Sequence, residues 1–213
     1  MSEDKKGGLD IKLITLSKYI KPAPVVNMSK GYVLNGRNNS FYDYIINCNN
    51  GSTTNSSVNS SYSDLIYGKG ISAHNALTNA NDWAKFKTIL KDNDLRRIVN
   101  DFQIFGEASK QVIKTKGGGL SAIKHIRKEL TAPSIVNEDY EIDSYWFSTD
   151  WARLNQNPAE VFSAFGTSKD AIEIFNIKPY QSGSLYFAQP SYFSALQYCE
   201  IEEEMSNLYL SSI

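Results

Sequence analysis

The sequence predicts an α+β fold, and three observations carry that prediction. Up to Gly106 the apolar residues recur at steps of three and four; beyond it the repeat falls to two; from Pro190 the helical step returns. Helices, then an antiparallel sheet, then a long helix is the order of an α+β domain and not of an alternating parallel one. A chain of 213 residues has room for one sizeable domain, or one domain with an extended arm, but hardly for two. The division that follows is an N-terminal arm over 1–40, an α+β domain over 41–189 and a terminal helix over 190–213.

Residues 1 to 40 mix charges, glycines and prolines around a short β-like run from Ile11 to Leu16, with Pro22, Pro24, Gly31 and Gly36 interrupting any regular element. A helix is expected from Ser40 as cap, with Phe41, Tyr44 and Ile45 on one face, ending at Asn49-Asn50-Gly51. A second runs from Ser52 to Tyr67. Its Ser and Asn content is unfavourable for an isolated helix, so packing must hold it, and Val58, Tyr62, Leu65 and Ile66 form the stripe expected to be buried. Gly68-Lys69-Gly70 closes it. After a polar connector over 72–80 come a helix from Asn81 to Lys91, a stop and cap at Asp92-Asn93-Asp94, and a helix from Leu95 to Phe105. That last helix carries Leu95, Ile98, Val99, Phe102 and Phe105 at helical spacing and is ended by Gly106. A β-hairpin follows, with arms 111–114 and 120–126 around Thr115-Lys116-Gly117-Gly118-Gly119. Further strands are expected over 141–148, 171–177 and 184–188, with loop at 155–158.

The terminal segment is an amphipathic pattern in which Tyr198, Ile201, Met205 and Leu208 recur at steps of three and four, while Glu202, Glu203 and Glu204 face away. Pro190 suits a first helical turn, and the pattern is still running at Ile213, with nothing there to cap the last carbonyls. A helix of this length reaches about 36 Å, and an exposed apolar stripe of that size calls for a partner. Tyr198, Ile201, Met205 and Leu208 are therefore the candidate subunit contact.

Composition narrows the function. The formal net charge is −1, with 13 Tyr and 10 Phe, which argues against a free-standing nucleic-acid binder with a basic excess. The first residues show no signal-peptide or membrane-span pattern, so synthesis and function are expected in the cytosol, without membrane association. Cys48 and Cys199 match no metal or redox spacing and read as small buried hydrophobes; the Asn-x-Ser/Thr triplets read as composition and not as glycosylation sites.

No catalytic constellation emerges. The glycines at 117–119 and the Gly68-Lys69-Gly70-Ile71-Ser72 run lack the Gly-Lys-Ser/Thr and the strand-to-helix setting of a phosphate cradle. His74 and His125 have no third ligand at a useful spacing, so neither a metal site nor a nucleophile triad is expected, and no cofactor. Asp139, Glu141 and Asp143 alternate along an expected strand and suit a solvated edge or a subunit salt bridge; a carboxylate hydrolase using Asp139, Glu141 or Asp150 is the remote enzyme reading. Lys110, Lys114, Lys116 and Lys124, followed by Arg127 and Lys128, make a local basic patch. It reads as solvated surface or protein contact, with Lys114, Lys116 and Lys124 as the candidates for a weak, sequence-independent phosphate contact. Trp83, Trp146 and Trp151 are expected to fill core or interface volume.

From Phe41 onward the order of landmarks resembles the N-terminal half of tailed-phage portal proteins, particularly those of phages related to the crAss-like group. The resemblance is carried by Asn39-Ser40-Phe41-Tyr42-Asp43-Tyr44, Asn50-Gly51-Ser52, the helix ending in Leu65-Ile66-Tyr67-Gly68-Lys69-Gly70-Ile71, Leu95 to Phe102, Gly106-Glu107-Ala108, Ile177-Lys178-Pro179-Tyr180 and Pro190-Ser191-Tyr192. It implies a subunit of a dodecameric ring at one capsid vertex, the conduit for packing and release of double-stranded DNA. Implied partners are further copies of the chain, the terminase large subunit, head-tail connector proteins and the major capsid protein. The implied location is the virion, after assembly in the bacterial host cytoplasm, with no catalytic residues and no cofactor. In that frame 41–189 correspond to the wing and the last helix leads towards a stem, so the resemblance implies a chain cut before stem, clip and crown. The rival is a non-catalytic α+β adaptor that binds its partner through the terminal helix.

Overall fold

The structure, a computed structural model, describes residues 23–74 and 79–212. The run over 11–16 lies outside the described residues. The fold is α+β, as the change of period predicts: helices first, then a six-stranded sheet, then a terminal helix.

The described part opens with a hairpin, β1 (Pro24–Asn27) and β2 (Tyr32–Asn35), paired Val25 to Leu34 and Val26 to Val33. Residues 24–35 are thus not an extended arm. Val33 packs among Phe41, Ile45 and Phe105, while Tyr32 and Leu34 pack with Ala132 and Trp151. A strand buried on both faces shows a continuous apolar run with no alternation, and three such residues between glycines are easily taken for irregular chain.

Helix α1 (Ser40–Gly51) buries Phe41, Tyr42, Ile45 and Cys48. Ser40 is its first residue and not its cap. The cap position belongs to Asn39, in the left-handed region at φ 61°, whose buried side chain is used elsewhere: Oδ1 accepts from Asn35 N at 2.9 Å, and Nδ2 donates to Glu129 O and Thr131 O at 3.1 and 3.2 Å. Helix α2 (Thr53–Tyr67) is capped by Ser52, whose hydroxyl accepts from Asn55 N at 3.0 Å. Then come α3 (Ala80–Ile89) and α4 (Asp92–Phe105). Asp92 and Asp94 lie inside the first turn of α4, beyond its Lys91 cap, where carboxylates favour the positive end of the helix dipole. Ile98 and Phe105 are its buried residues.

The expected hairpin forms as β3 (Ala108–Lys114) and β4 (Leu120–Ile126), in register Val112 to Ile123. With β5 (Thr131–Pro133), β6 (Ser144–Phe147), β7 (Glu160–Ala164) and β8 (Ile172–Ile177) it makes one sheet of order β4-β3-β8-β7-β6-β5. Neighbours are antiparallel except β7 and β8, which run parallel over two pairs, Ser163 to Glu173 and Ala164 to Ile174. Two expected strands differ. The stretch before Ser144 is a turn, in which Asn137 Oδ1 accepts from Asp139 N and Glu141 N, both at 2.9 Å. Residues 184–188 form no strand; there the Lys178 ammonium donates to Leu185 O and the Ser184 hydroxyl to Phe187 O.

Helix α5 (Leu196–Ser211) starts six residues later than Pro190 suggested, after a 3-10 turn at Phe193–Ala195 that hangs on Pro190 O, which accepts from Phe193 N at 3.0 Å. Leu196 and Cys199 anchor it in the main core.

A polar cluster is sealed beneath the helices. Glu107, fully buried, accepts from Tyr42 Oη at 2.8 Å and Asn176 Nδ2 at 3.1 Å, and its Oε2 lies 3.1 Å from Lys128 Nζ, also fully buried. Lys128 donates onward to Asn176 Oδ1 at 3.3 Å, which accepts from Ser109 Oγ at 2.9 Å. Burial, and then the charge of Glu107, push the Tyr42 hydroxyl well above its ordinary range, so it stays a proton donor.

Candidate functional site

Helix α5 divides into a docked and a free half. Leu196 and Cys199, three residues apart, turn inward against α1, so the buried line is theirs and not that of the expected stripe. Of the predicted contact residues Ile201 is half-buried, whereas Tyr198, Met205 and Leu208 are exposed, as are Tyr209 and Leu210. The candidate surface is thus present, displaced towards the C-terminal half of the helix.

Glu202 does not face away. Its Oε2 accepts from Ser52 Oγ, and its Oε1 accepts from Thr54 N and Thr54 Oγ1, both at 3.1 Å, so a carboxylate from α5 sits on the N-terminus of α2. The Ser52 hydrogen bond, then that from Thr54 N, hold its carboxyl below the usual range. The sign follows: the stabilisation is complete above the unfolded value of 4.5 and is lost as pH falls through the depressed folded value. Glu202→Gln is expected to lower the melting temperature at neutral pH, and the gap from wild type to narrow below about pH 4.5. Thermal melts at stepped pH check it; a constant gap would mean that the charge is irrelevant.

The more unexpected surface is α2. Its expected core stripe is outside: Val58 is 45 %, Tyr62 54 %, Leu65 76 % and Ile66 54 % exposed. Inside are Asn59 and Ser63. Asn59 Nδ2 donates to Asn49 Oδ1 at 3.0 Å and to Asn55 Oδ1 at 3.2 Å, and its Oδ1 accepts from Gln103 Nε2 at 3.0 Å. Side-chain amides joining three helices thus take the inward face, and the apolar residues are turned out.

Half of the basic patch is engaged within the fold, and Arg127 stays exposed. Lys114 Nζ pairs at 2.6 Å with Glu173, whose carboxylate is fully buried and also accepts from Gly166 N at 3.2 Å. Burial opposes ionisation of Glu173, but Lys114, the Gly166 N–H and Ser168 together outweigh it, and the carboxyl is held below its usual range. Lys110 lies over the Phe175 ring at 4.7 Å, and Lys128 belongs to the sealed cluster. Lys116, at the hairpin tip, and Lys124, on β4, remain exposed.

The histidines and carboxylates are placed apart. His74 is exposed; His125 Nε2 lies 2.7 Å from Asp101 Oδ2, binding β4 to α4. Asp150 lines a polar cleft of about 480 Å³ with Arg37, Asp43, Glu129 and Trp151, yet its oxygens serve the local turn, accepting from Ala152 N at 2.9 Å and pairing with Arg153 at 3.6 Å. Asp139 and Glu141 belong to the Asn137 turn. Among the described residues no cluster of three His, Cys, Asp or Glu is arranged to hold a metal ion, and no helix is long and apolar enough to cross a membrane. Cys48 and Cys199 are free and buried, and burial pushes the Cys48 thiol up to about 11. The signals that sequence reasoning missed are Glu202 as an interhelical cap and the outward face of α2; a helix of Ser and Asn with four scattered apolar residues carries no mark of which side is in. Compared with protein-family models and with curated proteins, the chain matches none.

Proposed function

We propose that this chain is the wing portion of a phage portal subunit, a structural and non-catalytic protein. It assembles with copies of itself into a dodecameric ring at one capsid vertex, meets the terminase large subunit, the head-tail connector and the major capsid protein, and passes double-stranded DNA without sequence preference. It belongs to the virion and is assembled in the bacterial cytoplasm. The observation that carries the reading is the outward apolar side of α5, with Tyr198, Met205 and Leu208 uncovered on a helix whose other half is locked into the core.

Two further points support it. The motifs that carry the resemblance coincide with structural joints: Asn39 to Tyr44 opens α1, Tyr67 to Gly70 ends α2, Gly106 to Ala108 turns α4 into β3, and Pro190 to Tyr192 sets up α5. A conduit must also let phosphates slide, and a net charge of −1 with Lys114 and Lys128 neutralised internally offers DNA little to grip. Size-exclusion chromatography with light scattering tests the reading on this chain and on the product of the reading frame that encodes it. A closed ring of many copies is expected. A monomer in both, binding a foreign helix through Met205 and Leu208, makes the protein an adaptor and overturns the ring.

A further inference from the structure

Among the described residues the outward stripe of α2 has no partner. Val58, Tyr62, Leu65 and Ile66 fall at steps of four, three and one, along about 12 Å of helix. The free side of α5 offers a matching length: Tyr198, Met205, Leu208 and Tyr209 span about 16 Å. Charge separates the two surfaces in a complementary sense. Helix α5 holds four glutamates and no lysine or arginine; Glu204 is exposed beside the stripe, whereas Glu203 turns to the docked side, where its carboxylate lies against Gly51. The C-terminal part of α2 is followed by exposed Lys69 and flanked, on the side of Ser60 and Asp64, by exposed Arg96 and Arg97; Arg96 is paired with Asp64 at 2.8 Å and lies over the Tyr67 ring at 4.3 Å, which leaves Lys69 and Arg97 to supply the positive charge of the rim. Pairing within one chain is not made. Glu202 fixes α5 at the opposite, N-terminal end of α2, and both stripes stay exposed.

We propose that the outward face of α2 receives the free side of α5 from a second copy of this chain, acidic ridge against basic rim. The inference rests on the ring reading above and specifies its contact. Two different patches of one subunit meet head to tail, the geometry that closes into rings where the rotation permits. It also accounts for the inverted helix: Asn59 is held inside the subunit by Asn49, Asn55 and Gln103, and the apolar side is buried only on assembly.

Single-cysteine variants Leu65→Cys and Leu208→Cys, mixed under mild oxidation, test it; Cys48 and Cys199 are buried and need no replacement. A disulfide-linked heterodimer in the mixture, with none in either variant alone, is expected. Leu65→Glu, at an exposed position, is expected to leave the helical content of the subunit unchanged and weaken self-association about tenfold, as a central interface residue should. Arg97→Glu is expected to weaken it too, and Glu204→Arg on the other copy to restore it. Cross-linking of Leu208→Cys with itself, or of Leu65→Cys with itself, overturns the proposal in favour of a two-fold contact. A large oligomer unaffected by Leu65→Glu and never cross-linked in the mixture overturns the contact while leaving the ring reading intact. A monomer from the reading frame that encodes the chain sinks both.

Discussion

Lys128→Met is expected to destabilise the protein by about 3–5 kcal/mol in urea unfolding, the cost of removing one partner from a buried ion pair. Methionine fills nearly the same volume, so the loss is electrostatic. Glu107 would keep its bonds from Tyr42 and Asn176 but have no cation at 3.1 Å, in a place without access to water. The diagnostic comparison is the double variant Glu107→Gln with Lys128→Met. A neutral amide needs no counter-charge, Tyr42 can still donate to its oxygen, and the Asn176 amide can reverse to accept from its nitrogen, so the double variant is expected to be more stable than Lys128→Met alone. A cost under about 1 kcal/mol for Lys128→Met would mean that the ammonium is hydrated, as an exposed pair would be.

That cluster marks the limit of what could be read from the residues. Lysine in a run of Arg127-Lys128 reads as solvated surface, and nothing local reveals that Glu107, twenty-one positions earlier, and Asn176, forty-eight later, converge on it. Lys114 and Glu173 repeat the lesson across the pair β3 and β8. Long-range pairing decides the fate of a charge, and sequence spacing does not encode it. Periodicity succeeded where one face has one neighbour: α1, the C-terminal end of α4 at Gly106 and the turn of the β3–β4 hairpin lie where the apolar repeat and the glycine stops put them, although α4 and β3 each begin three residues earlier than expected.

It failed where hydrogen bonding competes with burial. In α2 the inward positions go to Asn59 and Ser63: amide contacts to Asn49, Asn55 and Gln103 satisfy Asn59 between three packed helices, while the small Ser63 hydroxyl is buried without a partner among the described residues. The rule that apolar residues are inside then inverts the helix. Helix α5 shows a milder version: the stripe of Tyr198, Met205 and Leu208 was legible and Cys199 was read as a buried apolar residue, but the docked line it makes with Leu196 was not, since the stripe alone was taken to set the helix's orientation. Glu202 was hidden for another reason. Its partners are a backbone amide and two hydroxyls at the start of a helix some 150 residues away, and a triple glutamate gives no hint which member is engaged.

Gly106→Ala is expected to cost about 3 kcal/mol and to loosen the base of α5, because conformation and space both forbid a side chain there. Gly106 ends α4 at φ 76°, its N–H donating to Phe102 O at 2.9 Å, and a Cβ on it would stand 2.3 Å from Gln189 O and 2.7 Å from Pro190 N. Those atoms cannot give way cheaply. Gln189 is clamped through its backbone to the Gln181 amide, accepting from Nε2 at 2.8 Å and donating to Oε1 at 2.7 Å, and the 3-10 turn before α5 hangs on Pro190 O. The control is Gly118→Ala in the hairpin tip. There φ is 82° but no atom lies within 4 Å of the added carbon, so only the backbone penalty of about 1 kcal/mol is expected. Urea unfolding of the two variants separates the contributions, since their difference measures the close approach alone. Amide hydrogen exchange locates it: Gly106→Ala should lower protection in α5 as well as at the end of α4, and Gly118→Ala in neither. Equal costs for the two would mean that the 189–190 segment moves freely against α4, and α5 would then lack the rigid base that an assembly arm requires.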